Sequence, residues 1–229
     1  LLPLFSAFWV GVPVRVYFNH GVPFIGYAGI VRWGLKTLEY GNLVLATSVL
    51  TVSRDMLNLL RAMTLNTKLN LISSGSACGI EFKDYFPAPS DEIDWRKKYG
   101  LNAQDLVVLF VGRPEKRKGF HFSLRLFLDQ IPDTHIKLVV CGATQEDVRR
   151  VIHEVPQNII PLGFIENVAE VMSYGDIILV PSRHEGLSYV ALEAQALGAL
   201  VVASDIPGLR CAIEHEVTGF LVPLNDSKH

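Results

Sequence analysis

Two glutamates eight positions apart are the first candidates for chemistry in this sequence. Glu185 and Glu193 lie in the segment RHEGLSYVALEAQALGALVVASD, which covers residues 183–205. Glu185 ends the loop after a predicted apolar strand, and Glu193 lies two turns into a predicted alanine-rich helix. A carboxylate accepts hydrogen bonds from two neighbouring hydroxyls, so each glutamate is suited to a diol. Glu185 is therefore a candidate for binding a sugar, and Glu193 is a candidate for binding a ribose.

The spacing alone does not separate these residues from solvated glutamates. Glu146 and Glu154 are also eight positions apart, on a predicted surface helix, and we assign them no role. Charged side chains are mostly exposed, so a solvated pair stays an alternative for Glu185 and Glu193. Two features favour binding. The alanines around Glu193 indicate a helix buried on most sides, and Glu185 is predicted at the sheet edge where doubly wound folds bind ligands.

Backbone amides accompany Glu185 at the start of the same helix. Gly186, Leu187 and Ser188 open the helix, with Tyr189 directly behind them. The first turn of a helix offers N–H donors without helical partners and the positive end of the helix dipole. Both features suit a phosphate group.

A basic loop, VGRPEKRKG, follows the strand predicted at residues 106–111. Its Arg113 and Lys118 are five positions apart across a proline-containing turn. Two cations at the carboxyl end of a strand can neutralise a diphosphate and stabilise it as a leaving group. A solvated basic loop is the alternative, and it is the interpretation that we give to Lys116 and Arg117.

His20, in the segment FNHGVPF, is the candidate from the N-terminal part of the chain. It follows a predicted apolar strand and precedes a glycine, which is where a residue lining a cleft would lie. A single histidine is more often structural than catalytic, and the spacing does not decide between these roles.

Two further polar motifs carry less weight. SSGSACG (residues 73–79) could hold an anion through its amides, but it lacks the Lys-Ser/Thr of a P-loop, and we favour a turn. EHE (residues 214–216) resembles a metal cluster, but we interpret it as an exposed helix end. The sequence has no Asp-x-Asp pair and no dense His/Cys/Asp set, so it predicts no bound metal.

Composition sets broad limits on the class of protein. The chain has 229 residues and a formal net charge of −2, which does not suggest a nucleic-acid-binding protein. Its three cysteines lack CxxC spacing, and we expect reduced thiols in the cytoplasm.

The opening run LLPLFSAFWVGVPVRV is too short to span a bilayer and lacks the features of a signal peptide. The chain begins inside this run without Met and stops after a strand, so we expect a piece of a longer protein.

Short β-branched runs alternate with helical patterns, which predicts βα units and a mainly parallel sheet. The N-terminal part is predicted to hold a buried strand at 14–18, a helix at 30–45, a strand at 49–52 and a Ser53-capped helix ending at Ala62. The C-terminal part is predicted to hold six strands, at 106–111, 136–141, 158–162, 176–180, 200–203 and 219–222. Helices are predicted at 119–130, 145–154, 167–174 and 188–197, with a short helix after the fifth strand. We predict a partial N-terminal domain (1–79), a linker (80–104) and a Rossmann-like domain (105–229).

Three motifs, in this order, carry a resemblance to a known family. They are FVGRPEKRKG, LGFIENVAEVMSYGDIILVPSRHEGLSYVALEAQALGALVVASDIPG and VTGFLV. Together they resemble the C-terminal half of family 4 retaining glycosyltransferases, which have the two-domain GT-B fold. The earlier NHGVPF and LTVSRDM segments resemble the later part of the acceptor domain in members that build bacterial polysaccharides or lipid-linked glycans.

The resemblance implies a role for each candidate residue. His20 would lie near the sugar and the transferred bond, and Glu185 would contact hydroxyls of the donor sugar. Arg113 and Lys118 would bind the diphosphate, and Glu193 would bind the ribose. Gly163 and Phe164 would contact the nucleobase. The phosphate would also accept hydrogen bonds from the backbone amides of Gly186, Leu187, Ser188 and Tyr189. Ser188 and Tyr189 stand where many relatives have glycine and a small or aliphatic residue, so Tyr189 is expected to narrow the donor pocket.

The resemblance also implies the reaction and its partners. A hexose would move from a nucleotide-sugar donor to a glycan or lipid-linked acceptor, with retention of the anomeric configuration. The nucleotide of the donor would be UDP in preference to GDP. The reaction would need no metal ion and no other cofactor. The expected location is the cytoplasm. The apolar segments LLPLFSAFW and YAGIVRWGLK allow contact with the inner face of the membrane, although core helices are the alternative that we favour.

Two other classes of function stay open at this stage. A sugar-nucleotide-binding module without turnover is one, because the family's first strand, Gly-rich loop and closing helices have no counterpart in the sequence. A phosphorylase or epimerase of the same fold would need a second catalytic or free-phosphate site, which we do not find. Intact Glu185, Arg113, Lys118 and His20 favour a transferase.

Overall fold

Parallel strands form both sheets of the computed structural model, which describes residues 2–64, 68–73, 75, 79–81, 92–131 and 133–224. One sheet has three strands in the order β1-β2-β3, and the other has six in the order β6-β5-β4-β7-β8-β9. Every pairing between neighbouring strands is parallel. The strands are β1 Val16–Asn19, β2 Ser48–Thr51, β3 Leu69–Leu71, β4 Leu106–Val111, β5 Ile136–Cys141, β6 Ile159–Gly163, β7 Ile177–Val180, β8 Leu200–Ser204 and β9 Phe220–Val222.

The chain divides into two compact units. The first consists of Leu1–Gly79, His184–Ser188 and Ile206–Ala212, and the second of Ile80–Arg183, Tyr189–Asp205 and Ile213–His229. The segment around Glu185 is thus grouped with the N-terminal residues. The described part of the predicted 80–104 linker is grouped with the second unit.

The first unit packs its helices on the three-stranded sheet. Its helices are α1 Leu2–Trp9, α2 Gly29–Leu45 and α3 Arg54–Arg61. Ser53 caps α3 by accepting a hydrogen bond from the Met56 amide, as the sequence predicts for a serine before an amphipathic run. The core of the unit is apolar and fully buried, with Leu43, Val49 and Leu60 at its centre. This core supports β1, which leads into His20.

In its described residues, the second unit contains the six predicted strands and five α-helices. These helices are α4 Glu92–Lys98, α5 Phe120–Asp129, α6 Gln145–Ile152, α7 Val168–Met172 and α8 Tyr189–Ala196. Phe110, Phe120 and Phe127 are almost completely buried between the sheet and α5. The α4 helix belongs to this body, since the Trp95 ring stacks on Tyr174 with ring centroids 5.0 Å apart.

Three local predictions need correction. The first strand is not buried, because β1 is an edge strand in the described sheet and its Val16 and Phe18 side chains are 52% and 39% exposed. The predicted short helix after β8 is a series of turns at 207–212. The EHE segment is exposed but ends no helix. It forms a turn in which His215 is bridged to Gly219 and Glu216 has a φ of 63°.

Among the described residues, no helix has both the length and the apolar character needed to cross a membrane.

Candidate functional site

The loop after β4 places Arg113 and Lys118 in different surroundings. Arg113 is largely exposed, and its Nη1 lies 3.0 Å from Glu115 Oε1. Lys118 is half-buried in a single 3₁₀ turn at Lys116–Lys118, and its amide donates to the Glu115 carbonyl at 3.1 Å. An exposed ion pair contributes only about 0–1 kcal/mol, so Glu115 holds Arg113 weakly. The guanidinium is therefore available to a more highly charged anion.

Glycines bring the loop after β4 into backbone contact with its neighbours. Gly119 has a φ of 78° and lies so close to the Pro181 carbonyl that a Cβ atom would overlap it. Gly142 has a φ of 95°, and a Cβ there would overlap the Gly112 carbonyl in the same way. Only glycine combines a positive φ with such close approach. The ends of β4, β5 and β7 are thereby fixed against one another.

The end of β6 joins the same group of loops through backbone hydrogen bonds. The Gly142 amide donates to the Gly163 carbonyl at 2.7 Å, and the Gly163 amide donates to the Ala143 carbonyl at 2.9 Å. Phe164 follows with 89% of its surface exposed. An exposed aromatic ring on a fixed loop can stack on a flat ligand such as a base. Arg113 and Lys118 thus follow β4, and Gly163 ends β6 directly before Phe164, all at the carboxyl edge of one sheet.

The first unit brings His20 together with the segment around Glu185. A Cβ atom on Gly186 would overlap the His20 carbonyl oxygen, so these two backbones are in direct contact. On the other side of His20, a Cβ on Gly21 would lie 3.1 Å from Nε2 of His184. The structure therefore brings His20 next to the residue that follows Glu185, although 165 positions separate His20 from Glu185 in the chain.

Glu185 itself is buried, with 7% of its surface exposed. A Cβ atom on Gly208 would overlap the carbonyl oxygens of Glu185 and Gly186, so Gly208 closes one side of this segment. Ser188 is also buried at 3%, whereas the His20 ring is exposed and lies 4.2 Å from the Phe18 ring between centroids. The solvated interpretation of Glu185 is therefore wrong.

The α8 helix confirms the predicted burial around Glu193. Each of its residues is buried or half-buried, and Ala191 and Ala194 are completely inaccessible. Glu193 is half-buried in this helix of the second unit, as are Leu187 before it and Tyr189 at its start. A half-buried carboxylate is unlike the exposed Glu146 and Glu154 that share the same spacing.

Four residues that the sequence analysis does not single out lie around His20 and Glu185 in the first unit. His184 and Gly208 contact the Glu185 segment as described above, and Asn19 and Glu39 lie behind His20, both less than 5% exposed. The Asn-His-Gly order offered a signal for Asn19, because asparagine side chains commonly bond the backbone two residues on. Glu39 gave no signal, since it lies in the middle of a helix. Among the described residues, no group of three or more His, Cys, Asp and Glu is arranged to hold a metal ion.

Comparison with known proteins identifies the family. The model of the family described as glycosyl transferases group 1 matches residues 105–229, which is more than half of the chain. The chain therefore belongs to the glycosyl transferases group 1 family.

Curated relatives include glycosyltransferases of bacteria and archaea. An uncharacterized glycosyltransferase of Methanocaldococcus jannaschii is 31% identical over 140 residues, which cover 58% of this chain and 35% of that protein. The capsular polysaccharide biosynthesis glycosyltransferase CapM of Staphylococcus aureus is 24% identical over 237 residues, covering 100% of this chain and 62% of CapM. The UDP-Gal:alpha-D-GlcNAc-diphosphoundecaprenol alpha-1,3-galactosyltransferase of Escherichia coli is 26% identical over 65% of this chain and 40% of its own. The chain thus spans 35–62% of the length of these relatives.

A solved structure shares the fold. HepE of Anabaena, crystallised in complex with UDP and glucose, matches with a TM-score of 0.76 and 21% identity over 97% of this chain and 61% of HepE. The fold class is α/β with Rossmann-like parallel sheets, as in GT-B glycosyltransferases, and the prediction of this class is confirmed.

Replacing Gly119 by alanine tests the backbone contact that holds the loop after β4. We expect Gly119→Ala to lower the free energy of unfolding by about 3 kcal/mol or more, because strain at positive φ adds to overlap with the Pro181 carbonyl. Gly198→Ala is the matched control: its φ is 73°, but a Cβ there meets nothing within 4 Å. This control is expected to cost only about 1–2 kcal/mol. Equal losses in urea denaturation would show that the contact is unimportant.

Proposed function

We propose that this protein transfers a hexose from a UDP-sugar to a hydroxyl group of a glycan or lipid-linked acceptor, with retention of configuration and without a metal ion. The observation that carries the proposal is the loop after β4. Its two cations are held at the carboxyl end of a parallel strand by glycine-mediated backbone contacts. Such a loop is suited to a diphosphate, which is the leaving group of a nucleotide-sugar.

Each candidate residue has a defined task in this reaction. Lys118 and Arg113 neutralise the diphosphate, Phe164 and the Gly163 backbone receive the base, and Glu193 accepts hydrogen bonds from the two ribose hydroxyls. Glu185 accepts hydrogen bonds from the sugar, and the amides of Gly186, Leu187, Ser188 and Tyr189 donate to the phosphate. His20 contacts the sugar next to the bond that breaks.

Charge stabilisation supplies most of the catalysis in this scheme. The bond between the anomeric carbon and the donor phosphate oxygen breaks, and the acceptor oxygen bonds the anomeric carbon from the same face. The departing phosphate oxygen takes the proton of the acceptor hydroxyl. Arg113 and Lys118 stabilise the charge that develops on the diphosphate, and this contribution is larger in the transition state than in the ground state.

Two relatives support the proposed acceptor, and a set of exposed apolar side chains supports the proposed location. CapM is named for capsular polysaccharide biosynthesis, and the Escherichia coli enzyme for a diphosphoundecaprenol acceptor. Large apolar side chains in the first unit, Trp9, Ile30 and Trp33, are 71–85% exposed. These side chains fit a cytoplasmic protein that contacts the inner face of the membrane.

Co-sedimentation with anionic vesicles tests this membrane contact directly, and we expect the protein to pellet with the vesicles. Recovery of the protein in the supernatant alone would contradict the proposed contact.

Calorimetric titration with UDP, GDP and ADP tests the donor site. We expect saturable binding of UDP, weakened roughly 10- to 100-fold by Glu193→Ala, because hydrogen bonds to a charged group contribute about 1.5–3 kcal/mol. Glu146→Ala, at an exposed glutamate on α6, is the control and should bind UDP like the wild type. Unchanged UDP affinity in Glu193→Ala would contradict the assignment of the ribose site.

Turnover separates a transferase from a binding module. In the protein expressed from its complete gene, Glu185→Ala and His20→Ala should each lower kcat by about 100-fold and leave UDP affinity nearly unchanged. His153→Ala, at an exposed histidine that ends α6, should retain full activity. Tight UDP binding by a wild-type protein that never transfers sugar would identify a module instead of an enzyme.

A further inference from the structure

The side chain of Asn19 encloses the backbone of His20. The Gly21 amide donates to Asn19 Oδ1 at 3.1 Å, and Asn19 Nδ2 donates to the Gly21 carbonyl at 3.2 Å. Asn19 is 1% exposed, so these bonds form out of water. Because both polar groups of the Gly21 backbone are bound to one amide, the peptides on each side of Gly21, including the one that joins it to His20, have little freedom to turn.

Glu39 lies behind Asn19 and determines how its amide is oriented. Asn19 Nδ2 donates to Glu39 Oε1 at 2.8 Å, and Tyr17 Oη donates to both carboxylate oxygens at 3.0 Å. An ionised carboxylate only accepts hydrogen bonds, so the NH₂ group of Asn19 must face Glu39. The oxygen of Asn19 then faces the Gly21 amide. If the Asn19 amide were flipped, its oxygen would meet a carboxylate oxygen, and the Gly21 amide would lose its acceptor.

Stability by itself gives no reason for a carboxyl group at position 39. The residue is 4% exposed, and burial raises the pKa of Glu39 because the charged form is poorly solvated. Burial and the adjacent carboxylate also raise the pKa of Tyr17 to about 12. An apolar side chain of similar volume would avoid this penalty. The hydrogen bonds of Glu39 instead lead through Asn19 to the residues around His20.

The position of His20 also affects the Glu185 segment. The His20 carbonyl lies directly against Gly186, where a Cβ atom would overlap it. A rotation of the His20 peptide would therefore displace Gly186, the residue after Glu185. Glu39 is linked to both candidate catalytic residues by contacts within the first unit.

We propose that Glu39 is a positioning residue that acts through Asn19 to hold His20 in the orientation needed for sugar transfer. Glu39 itself touches neither sugar nor acceptor. Its effect on the rate rests on the proposed function, whereas its effect on the position of His20 does not.

A double-mutant cycle with Glu39→Leu and Asn19→Ala tests the proposal in the protein expressed from its complete gene. Each single variant should lower kcat about 10-fold or more, with the KM for the donor nearly unchanged. In the Asn19→Ala background, Glu39→Leu should cause no further loss of kcat, because in this proposal the effect of Glu39 on His20 passes through Asn19. Additive losses would indicate a general structural role and overturn the proposal.

Two other variants provide the controls. Glu39→Gln should retain activity near the wild type, since a glutamine oxygen can accept from Asn19 Nδ2 while its NH₂ group donates to Tyr17 Oη. Glu146→Leu removes a glutamate on the exposed face of α6 and should change nothing. A loss with Glu39→Gln equal to that with Glu39→Leu would contradict the requirement for an acceptor at this position.

A spectroscopic measurement separates this proposal from the proposed function. The imidazole Cε1–H resonance of His20, assigned by its disappearance in His20→Ala, should shift in Asn19→Ala and Glu39→Leu and stay in place in Glu39→Gln. The shift is expected even if the wild type transfers no sugar, in which case only the proposed function fails. An unshifted His20 resonance in Asn19→Ala overturns the positioning role. This test uses Asn19→Ala alone, so it remains decisive if the Glu39→Leu variant does not fold.

Discussion

Close contact between backbones, permitted by glycine, is the constraint on which both parts of the candidate site depend. In the second unit, Gly119 and Gly142 bring the loops after β4, β5 and β7 within van der Waals distance of one another. In the first unit, Gly186 and Gly208 do the same for the residues around Glu185. A side chain at any of these positions would overlap a carbonyl group. The loops are therefore fixed by main-chain contacts.

The two units differ in the electrostatic environment of their candidate residues. The candidate cations of the second unit are exposed or half-buried, and Arg113 forms a weak, exposed ion pair with Glu115. The carboxyl groups of the first unit, at Glu185 and Glu39, are buried. Burial strengthens each hydrogen bond that they accept and also raises the cost of leaving one unmade. In the proposed function, this contrast suits exchangeable binding of the diphosphate and strict orientation of the sugar.

The buried carboxyl group of Glu39 costs solvation energy but fixes the orientation of its hydrogen-bond partners. A carboxyl group in a helix that faces a small apolar core costs solvation energy, as the raised pKa of Glu39 indicates. The hydrogen bonds from Tyr17 and Asn19 offset part of that cost and leave a single arrangement of the amide. A function that needs one orientation of His20 explains such a network better than stability does.

The sequence by itself determined the α/β class, nearly all elements of the second unit, and the candidates Glu185, Glu193, Arg113, Lys118 and His20. These depend on local periodicity and on turn chemistry, which act within a few residues of the chain. The tertiary structure alone decided that β1 is an exposed edge strand, that the residues after β8 form turns, and that Gly186 contacts His20. It also decided that Glu39 meets Asn19, 20 positions away in the chain. Contacts between residues so far apart depend on how strands and helices pack, and no local pattern contains that information.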